Sequence, residues 1–366
     1  MSDSKPTLET LRDTIDQLDQ KIQELINQRA SCAKQVADVK QLDMTEGEKA
    51  VFYRPEREAL VLRRVMERNG GPLDNESMAR LFREIMSACL ALEEPMTIAY
   101  LGPEGTFTQA AAQKHFGHAV KTTPMPTIDE VFREVESGSA HYGVVPVENS
   151  TEGVVNTTLD SFTHASVAIC GEVELRIHHH LMVGQNTRED AITRIYSHQQ
   201  SFAQCRQWLD AHYPTADRVP VSSNADAARR MRSEWNAAAI AGEVAAEMYD
   251  LKVVASNIED NPHNSTRFLI VGREHVPASG EDKTSIIVSM KNKPGALYEL
   301  LAPFHEADIM LTRVETRPSR DGTWAYLFFI DFEGHENTES IKSALKRVEE
   351  MAVYVKRLGS YPKAVL

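Results

Sequence analysis

The chain has 366 residues, 42% of them hydrophobic and 25% charged, a profile that fits a soluble globular protein of two or three domains. Lys+Arg 40 against Asp+Glu 53 leaves a net charge of -13, which argues against a general nucleic-acid binder. Any anionic ligand must then be caught by local clusters of positive charge. No apolar run reaches the length of a membrane span, and the opening MSDSKPTLET lacks the basic and apolar regions of a secretory signal. Four scattered cysteines (Cys32, Cys89, Cys170, Cys205) show no metal-ligand spacing, so a reduced, cytoplasmic protein is expected.

From residue 7 to about residue 40 there is no Gly or Pro, and apolar residues recur at alternating three and four spacing. The seam reads Leu8, Leu11, Ile15, Leu18, Ile22, Leu25, Arg29, Cys32, Val36, Val39, a long helix of coiled-coil type. Arg29 interrupts it. A guanidinium there is costly to bury unless paired, so it either snorkels, fixes register or binds a ligand. Lys40 returns to nearly the same face about 16 Å along the axis. Arg12 lies roughly 25 Å from Arg29 on another face, and serves the same small ligand only from a partner helix. A shared site therefore predicts an intertwined dimer. After a break around Gly47, Pro55 opens a second helix carrying Glu58, Leu62 and Val65, and Gly70-Gly71-Pro72 ends it. A third helix from about Asp74 places Phe82, Met86, Cys89 and Glu93 on one stripe.

Three helices in this long-short-medium order resemble the all-helical chorismate mutase family. The resemblance carries that family's ligand set onto Arg12, Arg29, Lys40, Arg57, Glu58 and Glu93. Arg54 stands where some relatives have Asp and Cys89 where some have Ser, so both stay outside the expected site. Rearranging chorismate to prephenate needs no nucleophile, metal or proton transfer. The protein must hold two carboxylates in a compact conformer and stabilise charge developing on the ether oxygen. Arginines suit the carboxylates, while Lys40 and Glu93 flank that oxygen. An ionised Glu93 would oppose the developing charge, so it is expected to work protonated.

Composition shifts at Pro95. MTIAYLG reads as a strand, GPEGTFTQAAAQKHFG as a Gly loop opening a helix, and Thr127 with Glu130 as a capping box. The buried strand YGVVPVE runs into ENSTEGVV, and β-α alternation continues to KVVAS, which indicates open α/β layers in two small lobes with a cleft. His178-His179-His180 lies on a strand whose alternation turns the middle ring away from its neighbours, so packing or rim hydrogen bonds are expected instead of a metal. No G-x-G-x-x-G and no nucleophile elbow occurs, and no cofactor is expected. The stretch Asn264-Ser265-Thr266-Arg267-Phe268 enters the apolar run LIVG with hydroxyls and a guanidinium at its lip.

Taken in order, GPEGTF, VPVENSTEG, SHQQSFAQC and NSTRF closely resemble prephenate dehydratase, whose fold is of the two-lobed, periplasmic-binding-protein-like kind. The resemblance implies that Thr266 is the residue most tied to activity, as donor to the departing hydroxyl or positioner of a proton source. Arg267, Asn149, Ser150 and Thr151 are the implied prephenate contacts, and Phe268 reads as the first core residue of the strand.

After a polar linker, VPASGEDK, the pattern is β-α-β-β-α-β. Through GALYELL and ETRP it resembles an α+β, ferredoxin-like ACT domain of the phenylalanine-binding type. That resemblance implies an amino-acid site at Gly295, Ala296, Leu297, Glu315, Thr316, Arg317 and Pro318, with backbone N–H groups taking the carboxylate and Glu315 the ammonium. Thr316 stands where relatives often have Ser. The chain thus reads as an all-α mutase domain (1-95), an α/β dehydratase domain (96-275) and an ACT domain (284-361). Its expected ligands are chorismate, prephenate and L-phenylalanine, and it is expected to form a homodimer or higher oligomer, with no nucleic-acid or membrane partner. Two alternatives remain: a non-catalytic aromatic-ligand sensor, which has no need of Arg29 and Lys40, and a dehydrogenase fusion, which lacks its glycine fingerprint.

Overall fold

A computed structural model describes residues 7–42, 53–318 and 326–366; the expected break at Gly47 lies outside these residues. Three helices come first: α1 (Leu8–Leu42), α2 (Pro55–Glu67) and α3 (Asn75–Glu93). Pro55 sits in the first turn of α2, where its missing N–H costs nothing, and the Asp74 side chain caps α3 by accepting from Ser77 N at 2.7 Å. Ala37 of α1 is buried, and a hollow between α1 and α3 is lined by Ile26, Ala30, Ile85, Cys89 and Leu92. Among the described residues, little covers the rest of the α1 seam. Leu8, Leu11, Ile15, Leu18, Ile22 and Leu25 are each at least 47% exposed.

The middle of the chain runs β1 (Thr97–Leu101), α4 (Phe107–Phe116), β2 (Lys121–Met125), α5 (Ile128–Ser137), β3 (Tyr142–Asn149), β4 (Gly153–Val154), α6 (Asn156–His164) and β5 (Ala168–Arg176). The chain then leaves for a second lobe of β6 (His180–Val183), β7 (Arg194–His198), α7 (Gln199–Gln204), α8 (Arg206–His212), β8 (Asp217–Val221), α9 (Asn224–Met231), β9 (Ala237–Ala241), α10 (Glu243–Tyr249) and β10 (Lys252–Ala255). It returns as β11 (Ser265–Gly272), inserted between β3 and β5. The two sheets are ordered β2-β1-β3-β11-β5 and β10-β6-β9-β7-β8. The chain crosses between lobes twice, and the crossovers are laced together by Ile177 N to Asn264 O and Ile258 N to His179 O, both 2.9 Å. The helical stretch QSFAQCRQWL is broken at Cys205 into α7 and α8. The Thr127 cap is present, accepting from Glu130 N at 3.2 Å.

The last unit is β12 (Asp282–Ser289), α11 (Ala296–Glu306), β13 (Leu311–Pro318), β14 (Tyr326–Glu333), α12 (Glu339–Met351) and β15 (Tyr354–Pro362), with sheet order β13-β14-β12-β15. Period-2 alternation divides this sheet's faces. Ile286, Val288, Ile330 and Phe332 pack on α11 and α12, whereas Ile287, Phe329, Leu358 and Tyr361 join the core of the first lobe. At Gly359 an added Cβ would lie 2.5 Å from Ile169 O, so only glycine admits this close approach.

Candidate active sites

Thr266 opens β11 and is 8% exposed. In register with it on β3 is Asn149, whose Nδ2 donates to Thr266 Oγ1 at 2.8 Å. The amide's orientation is fixed by unambiguous donors, because its Oδ1 accepts from the backbone N–H groups of Thr151 and Glu152, both at 2.9 Å. Its Nδ2 also serves Asn264 Oδ1 (2.9 Å) and Ser265 O (3.1 Å). Thr266 Oγ1 is therefore an acceptor toward Asn149, and its own proton is left for something else. Ser150 Oγ accepts from Ser265 N at 3.0 Å, and Thr151 Oγ1 donates to Asn264 Oδ1 at 3.3 Å. These hydroxyls join the cluster that the sequence pointed to.

Three further members come from the crossovers and the second lobe. Asn264, 2% exposed, donates to Gln204 Oε1 at 3.1 Å, and Gln204 Oε1 also accepts from His179 Nε2 at 2.8 Å. His179 is buried with its ring edge-on to Phe107 of the GPEGTF loop, and burial holds its pKa down, so it is neutral. Asn264 and Gln204 stand inside motifs read above as NSTRF and SHQQSFAQC; the sequence offered no way to select them from their polar neighbours. The three histidines find separate partners: His178 Nδ1 meets Glu259 at 2.8 Å, His179 meets Gln204, and His180 Nδ1 accepts from Asn257 N at 3.3 Å. An open groove of about 1120 Å³ runs past Gly105, Thr106, Phe107, His178 and Gly242, with Arg80 and Arg83 of α3 on its rim. At the loop entering α4, Gly105 N–H is already taken by Gln109 Oε1 at 2.6 Å.

Arg267 does not join this cluster. Strand alternation turns it to the opposite face, where Nε donates to Glu172 (2.8 Å), Nη1 to Asp331 (2.7 Å) and Nη2 to the Tyr361 hydroxyl (3.0 Å). With each guanidinium nitrogen engaged and its side chain only 17% exposed, Arg267 forms a buried link between the middle and last units, on the face away from Thr266. Arg317 is likewise engaged by another unit. It grips Asp160 of α6 in a bidentate pair at 2.8 and 2.9 Å, so its fork is not open to an amino-acid ligand. Glu315 shares the half-buried face of β13 with Arg317, whereas Thr316 and Pro318 lie on the exposed one. At the start of α11, Gly295 adopts φ 83° with open space around it, Leu297 is 43% exposed, and Ala296 N–H donates to Lys293 O at 3.2 Å.

In the helical unit, Glu93 is half-buried near Lys40 and Arg29. Burial raises its carboxyl above the usual range, and the two cations pull it only partly back. Arg12 and Arg57 are exposed. Glu58 is elsewhere: the inner face of α2 presses it against Arg83 of α3 at 3.2 Å, beside Tyr53 and His115. Burial raises the Glu58 carboxyl, opposed by Arg83. This chain therefore brings Arg29, Lys40 and Glu93 together, and leaves Glu58 at the seam with the middle unit, apart from them. Arg54 pairs with Glu56 at 2.6 Å and Cys89 is buried.

Family models cover nearly all of this architecture: chorismate mutase type II over residues 11–94, prephenate dehydratase over 98–276, and the ACT domain over 284–350. Over 359 residues the chain is 66% identical to the bifunctional chorismate mutase/prephenate dehydratase of Pseudomonas aeruginosa, spanning 98% of this chain and 98% of that one. The chain belongs to the bifunctional chorismate mutase/prephenate dehydratase family. The prephenate dehydratase of Arthrobacter aurescens, solved in complex with L-Phe, matches with TM-score 0.68 at 35% identity, covering 73% of this chain and 90% of that one. A solved quorum-quenching acylase of a novel type gives TM-score 0.69 at 28% identity, covering 74% of this chain and 98% of that one. The dehydratase–ACT fold is thus shared by proteins described by different chemistries, and it is the full-length match, helical unit included, that identifies this bifunctional family.

Proposed function

We propose that the family's two activities are carried by two separate clusters, Arg29–Lys40–Glu93 in the helices and Thr266–Asn149 at the start of β11. The enzyme rearranges chorismate to prephenate, then removes water and carbon dioxide from prephenate to leave phenylpyruvate. In the first step Arg29 holds a substrate carboxylate, and Lys40 with protonated Glu93 donates toward the ether oxygen as its bond breaks. Arg12, exposed and far along α1, serves the site of a second copy laid against the uncovered seam, and Arg57 closes the carboxylate contacts. The assembly is thus a homodimer or larger.

In the second step the electrons of the breaking carbon–carboxylate bond flow into the ring, carbon dioxide leaves, and the departing hydroxide must gain a proton. The observation that carries this reading is the polarity of the Asn149–Thr266 hydrogen bond. Asn149 Nδ2 can only donate, so the Thr266 proton is not spent on it and is left for the leaving oxygen. Because threonine is a weak acid, it hands on a proton supplied through solvent. Ser150 and Thr151 brace the loop that orients Asn149 and supply further contacts. The ACT unit takes L-phenylalanine at the open α11 start (Gly295, Ala296, Leu297) and the β13 stretch (Glu315, Thr316, Pro318), a reading supported by the L-Phe complex of the Arthrobacter aurescens relative, and its binding lowers dehydratase activity. The cell compartment is the cytoplasm, in keeping with four unpaired cysteines.

Purified protein given chorismate alone is expected to form phenylpyruvate. Accumulation of prephenate would defeat the dehydratase assignment, and no turnover at all would favour the ligand sensor.

A further inference from the structure

The side chains of Thr266 and Asn149 meet side by side, and the residue next to each faces the opposite way. Arg267 is held by Asp331 of β14 and Tyr361 of β15, and Glu148 by Arg313 of β13 at 3.4 Å. Arg267 and Glu148 are also register partners, as Thr266 and Asn149 are. The regulatory sheet therefore grips the back of the two-strand segment whose front carries the reactive hydroxyl.

The grip is charge-balanced and closed. Glu172 of β5 takes both Arg267 and Lys283 of β12, while Ser285 of β12 donates to the other oxygen of Asp331 at 2.6 Å and meets the Tyr361 hydroxyl at 2.8 Å. Two cations and two anions are thus sealed between domains, with every ACT strand except one supplying a member to the Arg267 network. Just past Arg267 the β3–β11 register shifts, with Arg267 opposite Glu148 but Phe268 opposite Pro146. Such a bulge separates the strand end from the core-packed remainder and is a place where a strand bends.

We propose that Arg267 is a positioning residue through which the ACT domain sets the placement of Thr266. The inference rests on the reading of Thr266 as the dehydratase hydroxyl. A change in the twist of the regulatory sheet moves Asp331 and Tyr361, hence Arg267, hence the hydroxyl one residue away. A shift of about 1 Å in a reacting group costs about 100-fold in rate, so a small movement is sufficient.

The test uses the full-length enzyme in Arg267→Lys, Asp331→Asn and Thr266→Ala forms, assayed on prephenate with and without L-phenylalanine. Mutase turnover and thermal unfolding are followed in parallel. For Arg267→Lys and Asp331→Asn we expect kcat to fall at least tenfold, KM for prephenate to change less than twofold, and the half-inhibiting phenylalanine concentration to rise at least fivefold. Mutase turnover should stay within twofold. A lowered Tm with unchanged kcat and unchanged phenylalanine response means a merely structural ion pair, and overturns the proposal. So does a kcat loss that leaves the phenylalanine response intact. If Arg267→Lys does not fold, Asp331→Asn and Arg313→Gln, which loosens the grip on Glu148, decide the question by the same readouts. Retained dehydratase activity in Thr266→Ala refutes the underlying site. Loss there beside an unaffected Asp331→Asn refutes the coupling alone.

Discussion

The two clusters proposed as reactive differ in how complete they are within one chain. Around Thr266, hydrogen bonds run in a chain through Asn149, Asn264, Gln204 and His179, drawing on both lobes and both crossovers. Around Glu93, one long helix supplies two cations while most of its own apolar seam faces outward. Burying six large side chains at roughly 1.5–3 kcal/mol each would be a strong drive for association. A site inside an α/β cleft can be finished by the chain that folds it. We propose that the helical site, strung along a single extended helix, is walled in by a second copy.

The largest effect should come from Thr266→Ala, which removes the proton-bearing oxygen. Dehydratase turnover is expected to fall about 10²- to 10⁴-fold while mutase turnover is preserved, read by separate assays for phenylpyruvate and prephenate. Loss of both would point to misfolding and erase the contrast between self-contained and shared sites. Next, Leu18→Asp places a charge in the open seam. Sedimentation should show a smaller species, with mutase activity down about 10- to 100-fold, the worth of a charged contact such as Arg12 brings. An unchanged mutase in a dissociated variant would mean that the helical site is complete in one chain after all.

Glu93 sharpens the comparison through pH. Its carboxyl is raised, first by burial, so the protonated form persists above the ordinary carboxylate range and is lost as pH rises through the raised value. Mutase turnover should therefore decline with rising pH, and Glu93→Gln, which cannot ionise, should remove much of that decline. An identical profile in the variant would sink the assignment. Smaller again is Gly359→Ala, where a Cβ meets the Ile169 carbonyl at 2.5 Å. Overpacking at this contact should cost about 1–3 kcal/mol in denaturant unfolding. The Thr127→Ala cap deletion sets the floor at about 1 kcal/mol, with neither activity altered.

Much of this molecule was legible because its signals are local. The heptad seam, the Pro55 start, the Asp74 and Thr127 caps and the β-α alternation all act between residues a few positions apart. Thr266 entered the expected site through the family resemblance, since a polar lip on an apolar strand reads equally well as an ordinary loop. Arg267 shows where that reading stops. Adjacent to Thr266, it looked like part of the same site, yet a strand sends neighbours to opposite faces, and what waits on the far face is contributed by β14 and β15, more than sixty residues later. Arg317 and Asp160 are a second case, and Glu58 with Arg83 a third. Each is a charged side chain whose type was plain and whose partner was not.

The sequence by itself determined the helices, strands, caps and domain order, because propensity and periodicity are properties of nearby residues. Tertiary structure alone decided which charges lock domains together. A guanidinium satisfies its donors with whatever carboxylate packing brings within 3 Å, and that distance is set by distant elements meeting, not by spacing along the chain.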